Sequence, residues 1–91
     1  MKLHKNIFED DLDFLLYLVR HPRFLLQEIC DEFNLKYSAL FNHVRIWEQQ
    51  GHFLKESVTP ELGGPRYEYY LSEKTIERLR EVCKSLMKLN K

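Results

Sequence analysis

The sequence predicts a mainly α domain of four helices with a small β-hairpin between the last two, an α+β arrangement. Apolar residues at helical spacing support this class over residues 12–19 and 76–86. Residues 66–71 alternate as in a strand, and the preceding TPELGGP has the glycines and prolines of a hairpin loop. With 91 residues, the chain is expected to form a single domain over 1–91.

The chain begins with a polar arm and an apolar helix. Residues 1–8 form the arm, whose end, Ile7 and Phe8, is expected to pack onto a partner. The first helix is predicted to begin near Asp10, because carboxylates favour a helix N-terminus. Pro22 is expected to end it one or two residues earlier, since the residue before proline disfavours the helical region.

Two helices joined by a short turn are predicted over residues 26–50. The first covers Leu26–Phe33. Asn34 then tolerates the left-handed conformation that ends a helix in a tight turn. The next helix is predicted to begin two or three residues after Asn34, and Gly51 closes it as a C-cap. This arrangement is a helix-turn-helix unit.

The second helix of this unit has an apolar and a polar side. The apolar side is shared by Leu40, His43, Val44 and Trp47. The opposite side offers an arginine, two amides and a hydroxyl, groups that bind base edges and phosphates in a DNA major groove. We therefore interpret it as a DNA recognition helix. The candidate DNA-binding residues, including one in the hairpin, are Lys36, Tyr37, Ser38, Asn42, Arg45, Gln49 and Arg66.

Two arginines among these candidates each have a structural alternative. Arg45 can bind guanine bidentately, or it can pair with Glu48 on the same helix. Arg66 is placed to enter a minor groove, or it can pair with Glu61 or Glu68 across the hairpin.

The remaining residues are predicted to form the hairpin, over about 52–71, and a helix over about 73–89 that is capped by Ser72. Apolar residues of this helix follow a 3-4-3-4 spacing, which predicts a dimerisation helix packed against its twin. The alternative is that it folds back onto the first helix of its own chain. The expected dimer contacts are Ile76, Leu79, Cys83 and Leu86.

Two runs resemble known transcriptional regulators. QEICDEFNLKYSALFNHVRIWEQQGHF resembles the helix-turn-helix of the MarR-like and ArsR-like families, and GGPRYEYYLSEKT resembles their wing and the helix start that follows it. The matching positions are Glu28-Ile29, Asn34-Leu35, Ser38-Ala39-Leu40, His43, Gly51 and Arg66. The resemblance implies a winged helix-turn-helix that binds double-stranded DNA as a homodimer. Its third helix would enter the major groove, and its wing would reach the backbone or minor groove.

The chain departs from the pattern of these families at three places. Lys36 stands where a Ser or Thr cap is usual. Thr75 replaces a glycine, which should make the last helix continuous. The wing carries Glu61 and Glu68 where many relatives are more basic.

Composition limits the other classes of function. Net charge is zero, whereas nucleic-acid-binding domains are usually basic, so a winged-helix protein-interaction module without direct DNA binding is the alternative function. No apolar run approaches the roughly 18 residues of a membrane span and no signal peptide is recognised, so a cytoplasmic location is expected. Cys30 and Cys83 have no zinc-site spacing. We expect no catalytic site, metal or cofactor; a small-molecule effector stays unassigned.

Overall fold

The computed structural model describes residues 2–58 and 66–89 and has a winged-helix fold. In chain order, the elements are a 3-10 turn at Ile7–Glu9, α1 at Leu12–Arg20, β1 at Arg23–Phe24, α2 at Leu26–Phe33, α3 at Tyr37–Gln49, β2 at Phe53–Val58, β3 at Arg66–Leu71 and α4 at Glu73–Leu89. Strands β1, β3 and β2 lie side by side, in that order, in one antiparallel sheet. The predicted bounds of α2, β3 and α4 are confirmed, whereas the predicted loop 59–65 lies outside the described residues.

Each of the two helices of the helix-turn-helix, α2 and α3, is followed by a residue with positive φ at its C-terminal end. Asn34 has φ 53° and ψ 51°, the left-handed conformation predicted for it, and it ends α2. Gly51 has φ 83°, and its N–H donates to the carbonyl of Glu48 at 3.0 Å. Because glycine adopts this conformation without a steric penalty, the chain leaves α3 abruptly and enters β2 two residues later.

The apolar side of α3 is the centre of the core. Leu40, Val44 and Trp47 are all buried, and the Trp47 ring lies 5.9 Å from the ring of Phe14 and 5.5 Å from that of Phe53. α1, α3 and β2 therefore meet at one tryptophan. Because this side of α3 is covered, its opposite side is the one left to solvent.

The N-terminal arm packs against its own chain, which corrects the expectation that its end packs onto a partner. Ile7 is fully buried, and Phe8 packs partly buried against the same core. The Trp47 indole N–H donates to the carbonyls of His4 and Lys5, both at 3.2 Å. Two apolar residues, Ile7 and Phe8, are too few to form a periodic pattern, so the sequence did not predict that the arm packs here. This packing depends on where Trp47 lies in three dimensions.

A short polar network fixes the start of α4. The Ser72 hydroxyl accepts the N–H of Thr75 at 3.4 Å and donates to its hydroxyl at 2.7 Å, as expected of a cap. The Thr75 hydroxyl lies 3.0 Å from His52 Nδ1. Burial, aided by the charge of Arg78, lowers the pKa of His52, so that its ring can accept this hydrogen bond in the neutral form. As expected from Thr75, α4 is continuous.

Asp10 is a buried carboxyl beside the arm. It is 4% exposed, its Oδ1 accepts the N–H of His4 at 2.9 Å, and its Oδ2 finds no hydrogen-bond partner among the described residues. Burial raises the pKa of Asp10 to about 6, against an ordinary 3.8, although the hydrogen bond from His4 acts in the opposite direction. The fold therefore favours the protonated form of this side chain.

We expect Asp10→Asn to change how stability depends on pH. Because Asp10 binds its proton more tightly in the folded than in the unfolded state, its protonation stabilises the fold. This contribution to stability is fully present below pH 3.8 and is lost as the pH rises through about 6. This shift corresponds to roughly 3 kcal/mol at most. In urea unfolding, the variant should therefore gain stability relative to wild type between about pH 4 and about pH 7.5. Asp11→Asn, which changes an exposed neighbour, is the control and should show no such gain. If Asp10→Asn changes the stability equally at about pH 4 and about pH 7.5, the pKa of Asp10 is not raised in the fold.

Candidate nucleic-acid interface

The polar side of α3 is open to solvent. Ser38, Asn42, Arg45 and Gln49 are all exposed. Glu48, the alternative partner of Arg45, instead has its Oε2 3.6 Å from the Nζ of Lys55 in β2, and no ion pair of Arg45 is found in the described part of the chain. The Arg45 guanidinium is therefore available to a ligand.

The N-terminal end of α3 is also open. Lys36 is the N-cap residue, with extended backbone, and its side chain makes no hydrogen bond to the first turn. Lys36, Tyr37 and Ser38 are all exposed. The N–H groups of a first turn have no partner within their own helix, so this end favours an anion such as phosphate.

Arg66 lies exposed at the beginning of β3. Glu68, one of its two alternative partners, is bonded to Arg23; the other, Glu61, lies outside the described residues. Arg66 lines a groove of about 330 Å³ between the wing and the first turns of α2 and α3. Tyr37, another candidate residue, lines the same groove, so the structure brings the wing and the start of α3 together.

The two faces of the wing differ in charge. Lys55 and Tyr67 lie on the face turned toward α3, where the ammonium of Lys55 is 4.9 Å from the Tyr67 ring and reaches Glu48 of α3. Strand alternation places Glu56 and Glu68 on the opposite face. Glu68 is thus directed away from α3. Arg66, two residues before Glu68 in β3, has the same alternation, and it reaches the groove toward α3 from the first position of the strand.

Arg23 neutralises this acidic face. Glu56 and Glu68 are directly opposite in the β2–β3 register, and like charges so placed destabilise a sheet. Arg23 lies between them, with Nη2 2.7 Å from Glu56 Oε2 and Nε 2.8 Å from Glu68 Oε1. The hydrogen bond to Glu56 raises the pKa of Arg23 further. These partners of Arg23 could not be predicted from the sequence, because they depend on the pairing of β1 with β3.

We expect Arg23→Gln to lower the thermal midpoint, because it leaves the Glu56–Glu68 pair without its cation. The loss should shrink at about 1 M salt, where the repulsion is screened over about 3 Å. Arg23→Gln combined with Glu56→Gln should regain most of the midpoint in thermal melts followed by circular dichroism. If the double variant melts no higher than the single one, charge repulsion is not the cause.

The four residues predicted for a dimer contact fall into two classes. Leu79 is fully buried and Cys83 is 4% exposed within the single chain, where α4 packs on α1. For these two, the structure agrees with the alternative that the helix folds back onto its own chain. Ile76 and Leu86 are half-buried against the edge of the same core, so any contact with a second copy depends on them and their exposed neighbours.

The described residues contain no group of three or more His, Cys, Asp or Glu side chains arranged to hold a metal ion. Both cysteines are free and buried, and burial raises the pKa of the Cys30 and Cys83 thiols, which disfavours the reactive thiolate. Among the described helices, none combines the length and hydropathy needed to cross a membrane.

Comparison with known proteins supports the fold. The chain is similar in structure to the transcriptional regulator homologue protein from Pyrococcus horikoshii OT3, with a TM-score of 0.70 and 19% sequence identity. The likeness covers 86% of this chain and 76% of that chain. No protein-family model and no curated protein matches the chain. At this identity the likeness shows the winged-helix fold, and membership of the MarR-like or ArsR-like families stays a prediction.

Proposed function

We propose that this protein binds double-stranded DNA sequence-specifically as a homodimeric transcriptional regulator. The observation that carries the proposal is the open polar side of α3, on which Asn42 and Arg45 are exposed while the opposite side is buried. A helix fixed in this way can present hydrogen-bonding groups to base edges in a major groove. The structural neighbour from Pyrococcus horikoshii, a transcriptional regulator homologue, is consistent with this role.

Each candidate residue has a role in this proposal. Arg45 binds the O6 and N7 atoms of guanine, and the amides of Asn42 and Gln49 bind adenine or phosphate. Lys36, Tyr37 and Ser38 bind a phosphate at the start of α3, where the helix dipole favours an anion. Arg66 extends the contact from the wing to the backbone or to a minor groove.

The zero net charge of the chain is compatible with this role, because acidic and basic groups are not evenly mixed. The two described glutamates of the wing strands lie on the face away from α3, and Arg23 is bonded to both. On the side of α3, the exposed cations Lys36 and Arg45 are available to phosphates, and Arg66 lines the groove at the edge of the wing. A neutral protein can therefore offer DNA a locally basic surface.

We expect the protein to enrich a preferred sequence from a random duplex pool and to bind it with a strong salt dependence. Each phosphate contact contributes a slope of about −0.9 to log K against log salt. Arg45→Ala should weaken binding by roughly fivefold to 150-fold, as for loss of one bidentate base contact. Fluorescence anisotropy measures both effects.

Arg20→Ala is the matched control, since Arg20 is an exposed arginine of α1. It removes the same charge and should leave affinity nearly unchanged. A flat salt response, or equal losses for the two arginine variants, argues against direct reading of bases by α3.

The homodimer part of the proposal rests on α4, where Met87 is 46% exposed beside the half-buried Leu86. Met87→Asp and Leu86→Asp should each yield monomers in sedimentation equilibrium, because a buried carboxylate opposes an apolar contact. Ser85→Asp, at an exposed position on another side of α4, should remain dimeric. A monomeric wild type at micromolar concentration refutes the dimer. Circular dichroism confirms that each variant is folded.

A protein-interaction module is the second candidate function, favoured by the apolar groups that α3 and the sheet leave exposed, Phe41 at 36% and Leu54 at 45%. Affinity capture before and after nuclease treatment separates the two functions. A protein partner survives removal of nucleic acid, whereas association through DNA is lost.

A further inference from the structure

Two aromatic rings are stacked on the outside of the recognition helix. Tyr37 and Phe41 are 51% and 36% exposed, and their ring centroids lie 6.2 Å apart with an interplanar angle of 12°. Side chains four residues apart lie on one side of a helix, so the pair forms a continuous apolar strip along the first turns of α3. The Trp47 side of the helix already anchors α3 to the core, so this strip is not needed for that purpose.

The strip adjoins the groups proposed to contact DNA. Phe41 is one helical turn before Arg45, and at 100° per residue it lies between the buried stripe and the polar side of α3. On its other side is the groove of about 330 Å³ toward the wing. Of the residues described as lining that groove, the sole charged one is Arg66. A surface whose described lining combines apolar rings with a cation is complementary to a polyanion that also carries apolar groups.

We propose that the Tyr37–Phe41 ring pair recognises the 5-methyl groups of thymines, with Phe41 making the principal contact. Thymine is the DNA base that places a methyl group in the major groove, and an aromatic side chain is a suitable contact for it. The cation Arg66 at the groove edge favours duplex DNA over an uncharged peptide as the occupant. The inference rests on the proposed function and assigns to these rings the distinction of thymine from cytosine and from uracil.

The test removes only the methyl group. In the sequence enriched from the random pool, each thymine is replaced in turn by deoxyuridine, and affinity is measured by anisotropy. Loss of one buried methyl group should weaken wild-type binding by about fourfold, as for one buried methylene. We expect this loss at one or two positions in each half-site and none elsewhere.

Protein variants assign the effect to the rings. In Phe41→Ala the thymine and deoxyuridine sites should bind with equal affinity at the sensitive positions. Leu54→Ala is the control, because Leu54 is similarly exposed but lies on the same sheet face as Glu56, away from α3. It should keep the fourfold preference. If Phe41→Ala binds too weakly to measure, Phe41→Leu replaces it and should show a reduced preference.

The possible failures can be told apart. A wild type that binds its enriched site but tolerates deoxyuridine at every position overturns this inference alone. A Phe41→Ala variant that loses affinity while keeping the fourfold preference also overturns it, since the ring would then have another role, such as contact with a protein. A wild type that enriches no DNA sequence overturns this inference together with the proposed function.

Discussion

The structure depends on how Trp47 is buried. Its ring packs between Phe14 of α1 and Phe53 of β2, and its N–H binds the carbonyls of His4 and Lys5 in the arm. One side chain thus joins α3 to three other parts of the chain. Because all these contacts lie on one side of the helix, they fix its orientation without using its polar side. The rigidity that the proposed recognition of bases would require is supplied from the core.

The charged groups of the sheet are also placed so that one side chain, Arg23, serves several contacts. Two wing carboxylates face each other across β2 and β3, an arrangement that opposes sheet formation by itself. Arg23, from the two-residue strand β1, forms an ion pair with each carboxylate. It thereby offsets their repulsion and links β1 to β2 and β3. Net charge alone therefore says little about this protein, because the relevant quantity is which face of the sheet each group occupies.

Local chemistry made most elements predictable. The end of α2 followed from Asn34 and the end of α3 from Gly51, since both residues suit a left-handed conformation. Contacts between distant segments were not predictable. The spacing of Leu79 and Cys83 fits packing on a twin and on α1 equally well, and only the tertiary structure distinguishes them. The bonds of Arg23 were hidden for the same reason. Exposure of the α3 polar side agrees with its pattern, while its ligand remains a proposal.

The position of Trp47 also gives the protein an internal optical reporter. It is the sole tryptophan of the chain, so selective excitation isolates its emission from that of the tyrosines. Its indole is fully buried and bonded to the arm. Detachment of the arm would admit water to the ring and shift the emission to longer wavelength. Occupation of the outer side of α3 would leave the ring dry, so the two events can be distinguished in an unlabelled sample.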